Sequence, residues 1–437
     1  MAVDDVHDLE KNRALWTLQP GEQWTTKYPE LGTGLVDFHR AVSPEFYALE
    51  REAVFRRTWL NVGRTEQVAD KGAYFTKEIE VCDTSVIVVR GKDERIRAFH
   101  NVCPHRGNKL VWDTHPAKET SGRCGRGFFC KYHGLGFGMD GRIVHVTDEK
   151  NFFERQVQSL ALAPIACETW NGFIFVNLSP EGPAETLREF LGEYYWTGFD
   201  GFPFERFTER YVTVGECRSN WKTLNDAFSE GYHAATLHRW TFPFQADPKF
   251  ADKITVRQDH FSLHGRHHQS MVRRAPDGLW ASSFEELMQA SPMGARVPSC
   301  VPVEQLPPAA NPIRLENWGN STNAIFPNLH IQFYHSGRHV WWLLYRFWPL
   351  AHDRMRFEVE HYLPPAQSFT ELMAHHGFLS LFRDTALQDV NLLEATQRGL
   401  KSGAVKLFPL QDEEIQVRHL HKTIFDAVDA WQRAQET

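Results

Sequence analysis

Two cysteines and two histidines recur in the same alternating order at two places: Cys103 and His105 in NVCPHRG (101–107), then Cys130 and His133 in CKYHG (130–134). Thiolate and imidazole are both metal ligands. Zinc commonly occupies Cys₂His₂ sets, but zinc fingers usually group Cys with Cys and His with His. Here each stretch offers one of each. Such a pair of stretches could give one thiolate each to the first iron of a two-iron cluster and one imidazole each to the second. Neutral imidazoles donate less charge than thiolates. The reduced cluster is then easier to reach, at about −150 to +300 mV against about −400 mV for an all-cysteine ferredoxin.

A second set of candidates lies in NWKTLNDAFSEGYHAATLH (220–238), which contains Glu230, His233 and His238. On an ideal helix five positions rotate by about 500°, which leaves His233 and His238 about 140° apart. They can share a metal only if the helix bends, ends or bulges between them; otherwise they are ordinary core or surface histidines. Glu230 precedes His233 by three positions and is predicted on the same helical face. Asp384, Asp389 and Glu394 are carboxylates that could complete a ligand set.

CPHRG and CKYHG, followed by DGRI (140–143), resemble the Rieske motif. Residues 220–238 resemble the mononuclear-iron motif of Rieske oxygenases: Asn-Trp-Lys, an acid, Phe, an acid, Tyr-His and a last His. LQDVNLLEATQRG (387–399) is similar to the family's third-ligand helix, with Glu394 and Gln397 in their usual places and 389 − 238 = 151. The resemblance covers about residues 45–400 and is to the catalytic α subunit of Rieske non-haem iron ring-hydroxylating oxygenases. It implies a [2Fe–2S] cluster on Cys103, His105, Cys130 and His133. It also implies Fe(II) on His233, His238 and Asp389, a 2-His-1-carboxylate set that leaves positions open for O₂. Glu230 would link an iron-ligating histidine to a Rieske histidine of the neighbouring subunit. A head-to-tail homo-oligomer is expected, an α₃ trimer with or without a β subunit. Electrons would come from NAD(P)H through a separate reductase, a ferredoxin or both; the chain carries no flavin or nicotinamide fingerprint.

The chain departs from the family pattern at several points. Leu135 stands where Trp usually follows YHG. Glu230 replaces the more frequent Asp, which resembles the branch that includes carnitine and choline monooxygenases. Asp226-Ala227 stands where Glu-Asn is often seen. The stretch 106–129 is longer than usual and holds Cys124, which has no His at ligand spacing and reads as an exposed insertion cysteine.

These side chains must be positioned by two kinds of element. Residues 45–60 have helical periodicity. From 61 to about 180, runs such as TSVIVVRG and NGFIFVNL, rich in β-branched and aromatic residues, predict a small all-β domain. Residues 179–196 read as a linker then a helix, 210–217 as a strand, and 219–238 as a helix. A Pro-rich stretch, 291–313, is of a length that marks either a functional lid or a disordered segment; with 238–254 it could form an entry lid. HVWWLLYRFWPL and RMRFEVEHYL read as strands. In the second, Met355, Phe357 and Val359 alternate with Arg354, Arg356, Glu358 and Glu360, which predicts one buried and one wet face. Residues 368–398 read as a helix that ends at Gly399. The fold class is therefore α+β: an arm (1–44), an all-β [2Fe–2S] domain with a leading helix (45–180), and a catalytic domain (181–437) with an antiparallel sheet gripped by helices.

The 437 residues are 42% hydrophobic and carry a formal charge of −7, a globular composition that argues against nucleic acid or an anionic membrane as partner. The acidic N-terminus shows no signal peptide, and the longest apolar run (340–350) contains Arg346, so a cytoplasmic, disulfide-free protein is expected. Cys82, Cys167, Cys217 and Cys300 read as small buried hydrophobes. IFPNLHIQFYHSG (325–337) resembles the family's pocket-lining strand. With WTFPF (240–244) it suggests a hydrophobic, aromatic or cyclic substrate and aromatic hydrocarbon catabolism. Asp226, Ala227, Phe326 and Asn328 are the pocket candidates. The iron site alone leaves dioxygenation, monooxygenation and oxidative demethylation of the carnitine or choline type open. A zinc-stabilised binding protein and a dedicated electron carrier are the competing classes; a carrier needs only about 100 residues.

Overall fold

The computed structural model describes residues 6–114, 118–153, 156–239, 258–273, 306–315, 318–336 and 339–436. Residues 240–257, most of the Pro-rich stretch and Cys300 lie outside them, and so do the lid and WTFPF expectations.

In chain order, four short helices come first: α1 (Leu9–Trp16), α2 (Trp24–Lys27), α3 (Phe38–Ala41) and α4 (Pro44–Glu50), with strand β1 (Val36–Asp37) before α3. Then follow β2 (Leu60–Arg64), β3 (Ala73–Ile79), β4 (Thr84–Arg90), β5 (Ile96–His100), β6 (Ser121–Arg123), β7 (Phe128–Phe129), β8 (Gly136–Phe137), β9 (Ile143–His145), β10 (Pro164–Trp170) and β11 (Phe173–Asn177). Helix α5 (Leu187–Gly198) is interrupted at Gly192, whose φ is 71°. The rest comprises β12 (Glu209–Cys217), α6 (Trp221–Ala227), α7 (Ala234–Leu237), β13 (Gln258–His264), β14 (His267–Arg273), β15 (Trp318–Ile325), β16 (Leu329–Ser336), β17 (His339–Ala351), β18 (Arg354–Leu363), α8 (Phe369–Lys401), β19 (Leu407–Phe408) and α9 (Ile415–Gln435).

The chain divides into two compact units, residues 51–190 and residues 1–50 with 191–437. The helix read as leading the first domain is α4, and it belongs to the second unit. It stops at Glu50 and passes into one π-helical turn, Arg51–Phe55, at the division. Physical pairing explains the assignment. Glu50 and Lys222 of α6 are both fully buried and lie 2.6 Å apart, and Phe46 packs edge-on against Phe425 of α9.

Unit 51–190 is all-β. Its larger sheet has the order β2-β11-β10-β5-β4-β3-β6, and β7-β8-β9 form a small second sheet. The long stretch 106–129 is not a loose insertion: Ser121–Arg123 adds an edge strand to β3. Cys124, expected exposed, is 7% exposed; its backbone N–H and thiol both donate to Gly72 O. Pairing of β6 pulls it into the core beside Phe128 and Met139.

The second unit is built on an antiparallel sheet of order β12-β18-β17-β16-β15-β14-β13. Helices cover one face: Phe228, just after α6, touches Tyr345, Phe347 and Phe357, and Phe378 and Phe382 of α8 touch His361 and Tyr334. The opposite face, expected wet at β18, is buried at Glu358 and Glu360, while Arg354 is exposed and Arg356 half-buried. Phe199, Phe202 and Phe204 pack on Phe333 there. Glu360 is 5% exposed and sits between Arg346 at 2.7 Å and Arg210 at 2.8 Å; Glu358 accepts from Trp348 Nε1. The two carboxylates that suggested solvent are satisfied across strands instead. Helix α8 starts at a Ser368 cap and runs two residues beyond Gly399 to Lys401.

Candidate metal centres

In unit 51–190 two loops carry the Cys/His pairs, one after β5 and one between β7 and β8. Their backbones follow one pattern. The Cys103 carbonyl accepts from Gly107 N–H and the Cys130 carbonyl from Gly134 N–H, at 2.9 and 2.8 Å. The Cys103 N–H donates to Asn108 O and the Cys130 N–H to Leu135 O, both at 2.8 Å. Each turn closes on a glycine at φ 77° or 76°, where a side chain would be strained. Each sulfur also faces two N–H groups, those of His105 and Arg106 in one loop and of Tyr132 and His133 in the other.

Both thiols are buried, at 1% and 3% exposure. Burial raises the Cys103 thiol. It also pushes Cys130 upward, but the two N–H groups and the Asn108 amide outweigh it and hold that thiol below its ordinary value. His105 and His133 stand edge to face with centroids 4.9 Å apart, and His105 Nδ1 is buried without a partner among the described residues. Two buried sulfurs and an orphaned imidazole nitrogen on paired loops fit a two-iron cluster with mixed ligands. Leu135, in the place of the usual Trp, is 1% exposed and packs in the same core as both cysteines.

In the other unit the predicted helix over 219–238 does not run through. Asn220 caps α6 by accepting from Lys222 N–H, and α6 ends at Ala227. A single turn, α7, follows; His233 is its N-cap and His238 its C-cap. The break lies before His233, so the two histidines flank one short helical turn instead of sitting inside a long helix, and their side chains converge from its two ends. The ligand atoms of His233, His238 and Asp389 all lie within 4.8 Å of one another. Nε2 of His238 is 3.3 Å and Nε2 of His233 3.6 Å from Asp389 Oδ1, a buried oxygen with no hydrogen bond among the described residues. Each Nδ1 is held elsewhere: His233 donates to Glu230 Oε1 at 2.5 Å and His238 to Gln388 Oε1 at 2.9 Å. These bonds leave both Nε2 lone pairs facing the carboxylate, which suits a divalent metal. Asp384 and Glu394, the rival carboxylates, are used otherwise, by Arg383 and by the Arg218 N–H.

Glu230 is not on a helix, as its spacing predicted. It lies in the break between α6 and α7, and Oε2 accepts the N–H groups of Tyr232 and His233. Burial alone would lower His233, but the hydrogen bond and charge of Glu230, with Asp389, hold it above its ordinary value. Gln388 was missed in the sequence reading; its only signal there is adjacency to Asp389.

The four pocket candidates are placed separately. Asp226 takes His421 of α9 at 3.0 Å, and Ala227 ends α6. Phe326 and Asn328 stand in the β15–β16 turn, with the Phe326 N–H donating to His267 Nδ1 and the Asn328 amide to Phe347 O. None of them lines the cavity of about 260 Å³ between β12, β17, β18 and α8.

Over residues 204–430 the chain matches the model of the ring hydroxylating alpha subunit (catalytic domain), and over 58–163 that of the Rieske [2Fe-2S] domain. The carnitine monooxygenase oxygenase subunit of Escherichia coli (strain K12) is 30% identical over 217 residues, covering 49% of this chain and 53% of that protein. The large oxygenase component of the naphthalene 1,2-dioxygenase system of Pseudomonas aeruginosa is 31% identical over 200 residues, or 44% and 42% of the two chains. The chain thus spans about half the length of the curated relatives it matches. A quaternary ammonium Rieske monooxygenase solved with an inhibitor has the same fold, at TM-score 0.68 and 18% identity over 91% of this chain and 96% of that one.

Proposed function

Because this chain belongs to the ring-hydroxylating alpha subunit family and carries a Rieske domain ahead of its catalytic domain, we propose that it uses O₂ to oxygenate a hydrophobic, aromatic or cyclic small molecule. The observation that carries this reading is the convergence of His233, His238 and Asp389 on one point, with the Asp389 oxygen otherwise unpaired among the described residues. When bound, the cluster supplies single electrons and the mononuclear Fe(II) an open site for O₂. The chain's own groups prepare that chemistry. Glu230 and Gln388 fix the two imidazoles in one tautomer and orientation. The N–H groups of His105, Arg106, Tyr132 and His133 beside the Cys103 and Cys130 sulfurs would tune the potential of a cluster held there. Electrons are expected from NAD(P)H through a reductase, with or without a ferredoxin.

A head-to-tail trimer, with Glu230 linking His233 to a Rieske histidine of the next subunit, rests on the family resemblance and on the carboxylate's direct hold on His233. A cytoplasmic location accords with the absence, among the described residues, of a helix long and apolar enough to cross a membrane. One observation favours a second reading, oxidative demethylation or monooxygenation: Glu230 stands where Asp is frequent, and a carnitine monooxygenase subunit is among the relatives. The test is O₂ uptake with a surrogate reductase over a panel of aromatic and trimethylammonium compounds. Ring hydroxylation supports the main reading; formaldehyde release from the ammonium compounds replaces it with the second. Colourless protein that binds only zinc overturns both.

A further inference from the structure

His361 of β18 is 4% exposed, and neither of its ring nitrogens has a hydrogen-bond partner among the described residues. Buried imidazoles without partners are rare, because the nitrogens give up water and gain nothing in return. His361 also lines the cavity of about 260 Å³ beside α8. The remaining walls are largely apolar: Tyr345, Phe357, Val359, Phe382 and Val390. Its outer edge is formed by Leu387, 53% exposed, by Thr213 and Glu216 of the edge strand β12, and by Arg383 of α8, whose guanidinium is exposed and paired with Asp384. None of the three iron-ligand candidates lines it, although Val390 follows Asp389 directly. An apolar cavity of about 150 Å³ holds benzene, so this one has room for two fused rings.

We propose that this cavity is a second small-molecule site, separate from the iron centre, that takes a neutral, mainly apolar one- or two-ring molecule whose single hydroxyl, carbonyl or amide pairs with His361. The chemistry matches on both sides. Burial holds the imidazole neutral, so the ring offers one N–H donor and one acceptor nitrogen. A hydroxyl can use either, and the ring system of the ligand meets aromatic and branched walls. A charged ligand is disfavoured, because no complementary charge stands among the buried walls.

The experiment is equilibrium binding of 2-naphthol and of naphthalene to the metal-loaded full chain, followed by ligand fluorescence. The expected result is that 2-naphthol binds more tightly, and that His361→Phe weakens it about tenfold while leaving naphthalene unchanged. His361→Gln, which keeps a donor and an acceptor, is expected to retain 2-naphthol within about threefold. Ala386→Phe, which fills the cavity, is expected to remove this site for both, so that any binding left is the iron centre's and no longer responds to His361→Phe. Asp389→Ala is expected to leave 2-naphthol binding intact, because the iron is not part of the site. An unchanged preference for 2-naphthol in His361→Phe, His361-dependent binding that survives Ala386→Phe, or loss of that binding in Asp389→Ala each overturns the proposal. Loss in the last variant places the molecule at the iron centre and leaves the oxygenase reading standing.

Discussion

Glu230 Oε1 lies 2.5 Å from His233 Nδ1, while the other oxygen of the same carboxylate caps the backbone N–H groups of Tyr232 and His233. One side chain therefore sets both the ring and the backbone of a candidate iron ligand. The two tasks separate by substitution. Glu230→Gln keeps an acceptor for the backbone and is expected to retain the iron while turnover falls about 10–100-fold. Glu230→Ala removes the cap too and is expected to weaken iron binding by a similar factor. Iron content and O₂ uptake measured on both variants check this; full activity in the Gln variant ends the positioning claim.

Asp389→Ala removes the buried oxygen that both Nε2 atoms face. About a third of the iron is expected to disappear, with the cluster's visible absorption unchanged and turnover gone. Loss of the cluster spectrum as well would mean that the two centres are not independent.

The fully buried pair Glu50–Lys222 predicts a non-additive pattern. Burial raises Glu50 and lowers Lys222, so each is pushed toward its neutral form. Lys222→Met alone strands the carboxylate and is expected to cost about 3–5 kcal/mol, whereas the double change with Glu50→Leu is expected to be far milder. Denaturant unfolding of the four proteins in the cycle measures the coupling; additive losses would show that the pair does not act as a unit.

Leu135, at 1% exposure, shares one buried core with Cys103 and Cys130. Leu135→Ala is expected to destabilise the unit by about 2–5 kcal/mol and to speed bleaching of the cluster absorbance in air. An unchanged bleaching rate would show that this contact does not shield the cluster.

Acid should weaken the second unit before its carboxylates titrate. Burial lowers His264, His330 and His361 to about 3, and His268 and His419 are also lowered, by burial first. In the unfolded chain these groups take a proton below about 6.5, while the folded chain does not. The unfolded state then binds more protons, so stability falls as pH drops from about 6.5 toward 3. Each such group contributes up to about 1.4 kcal/mol per pH unit in that window. Melting temperatures between pH 7.5 and 5 should decline, and less steeply in His330→Gln; parallel slopes would refute the assignment of the effect to His330.

The grouping of His233, His238 and Asp389 was legible because candidate ligand chemistry restricts residue type and spacing together. The α8 carboxylate was legible for the same reason, through the pattern around Asp389. Local backbone was less so. Nothing between Ala227 and Ser229 breaks helical periodicity, and Gly231 is the one nearby signal that α6 stops before the ligand turn. Glu358 and Glu360 looked solvent-facing because their partners, Trp348, Arg346 and Arg210, come from other strands. Asp226 was read toward a pocket, yet its partner His421 is 195 positions away. Pairings of that range leave no local trace.

The placement of Glu50 carries an implication for synthesis. Its ammonium partner follows 172 residues later, with the whole of 51–190 in between. At ribosomal speeds that interval is on the order of 10–30 s, during which the intervening β unit can complete itself and the nascent arm has nothing to close upon. Stalled chains ending before Lys222 are therefore expected to be protected from protease within 51–190 and cleaved ahead of it. Early protection of the arm would mean that it finds an interim shelter.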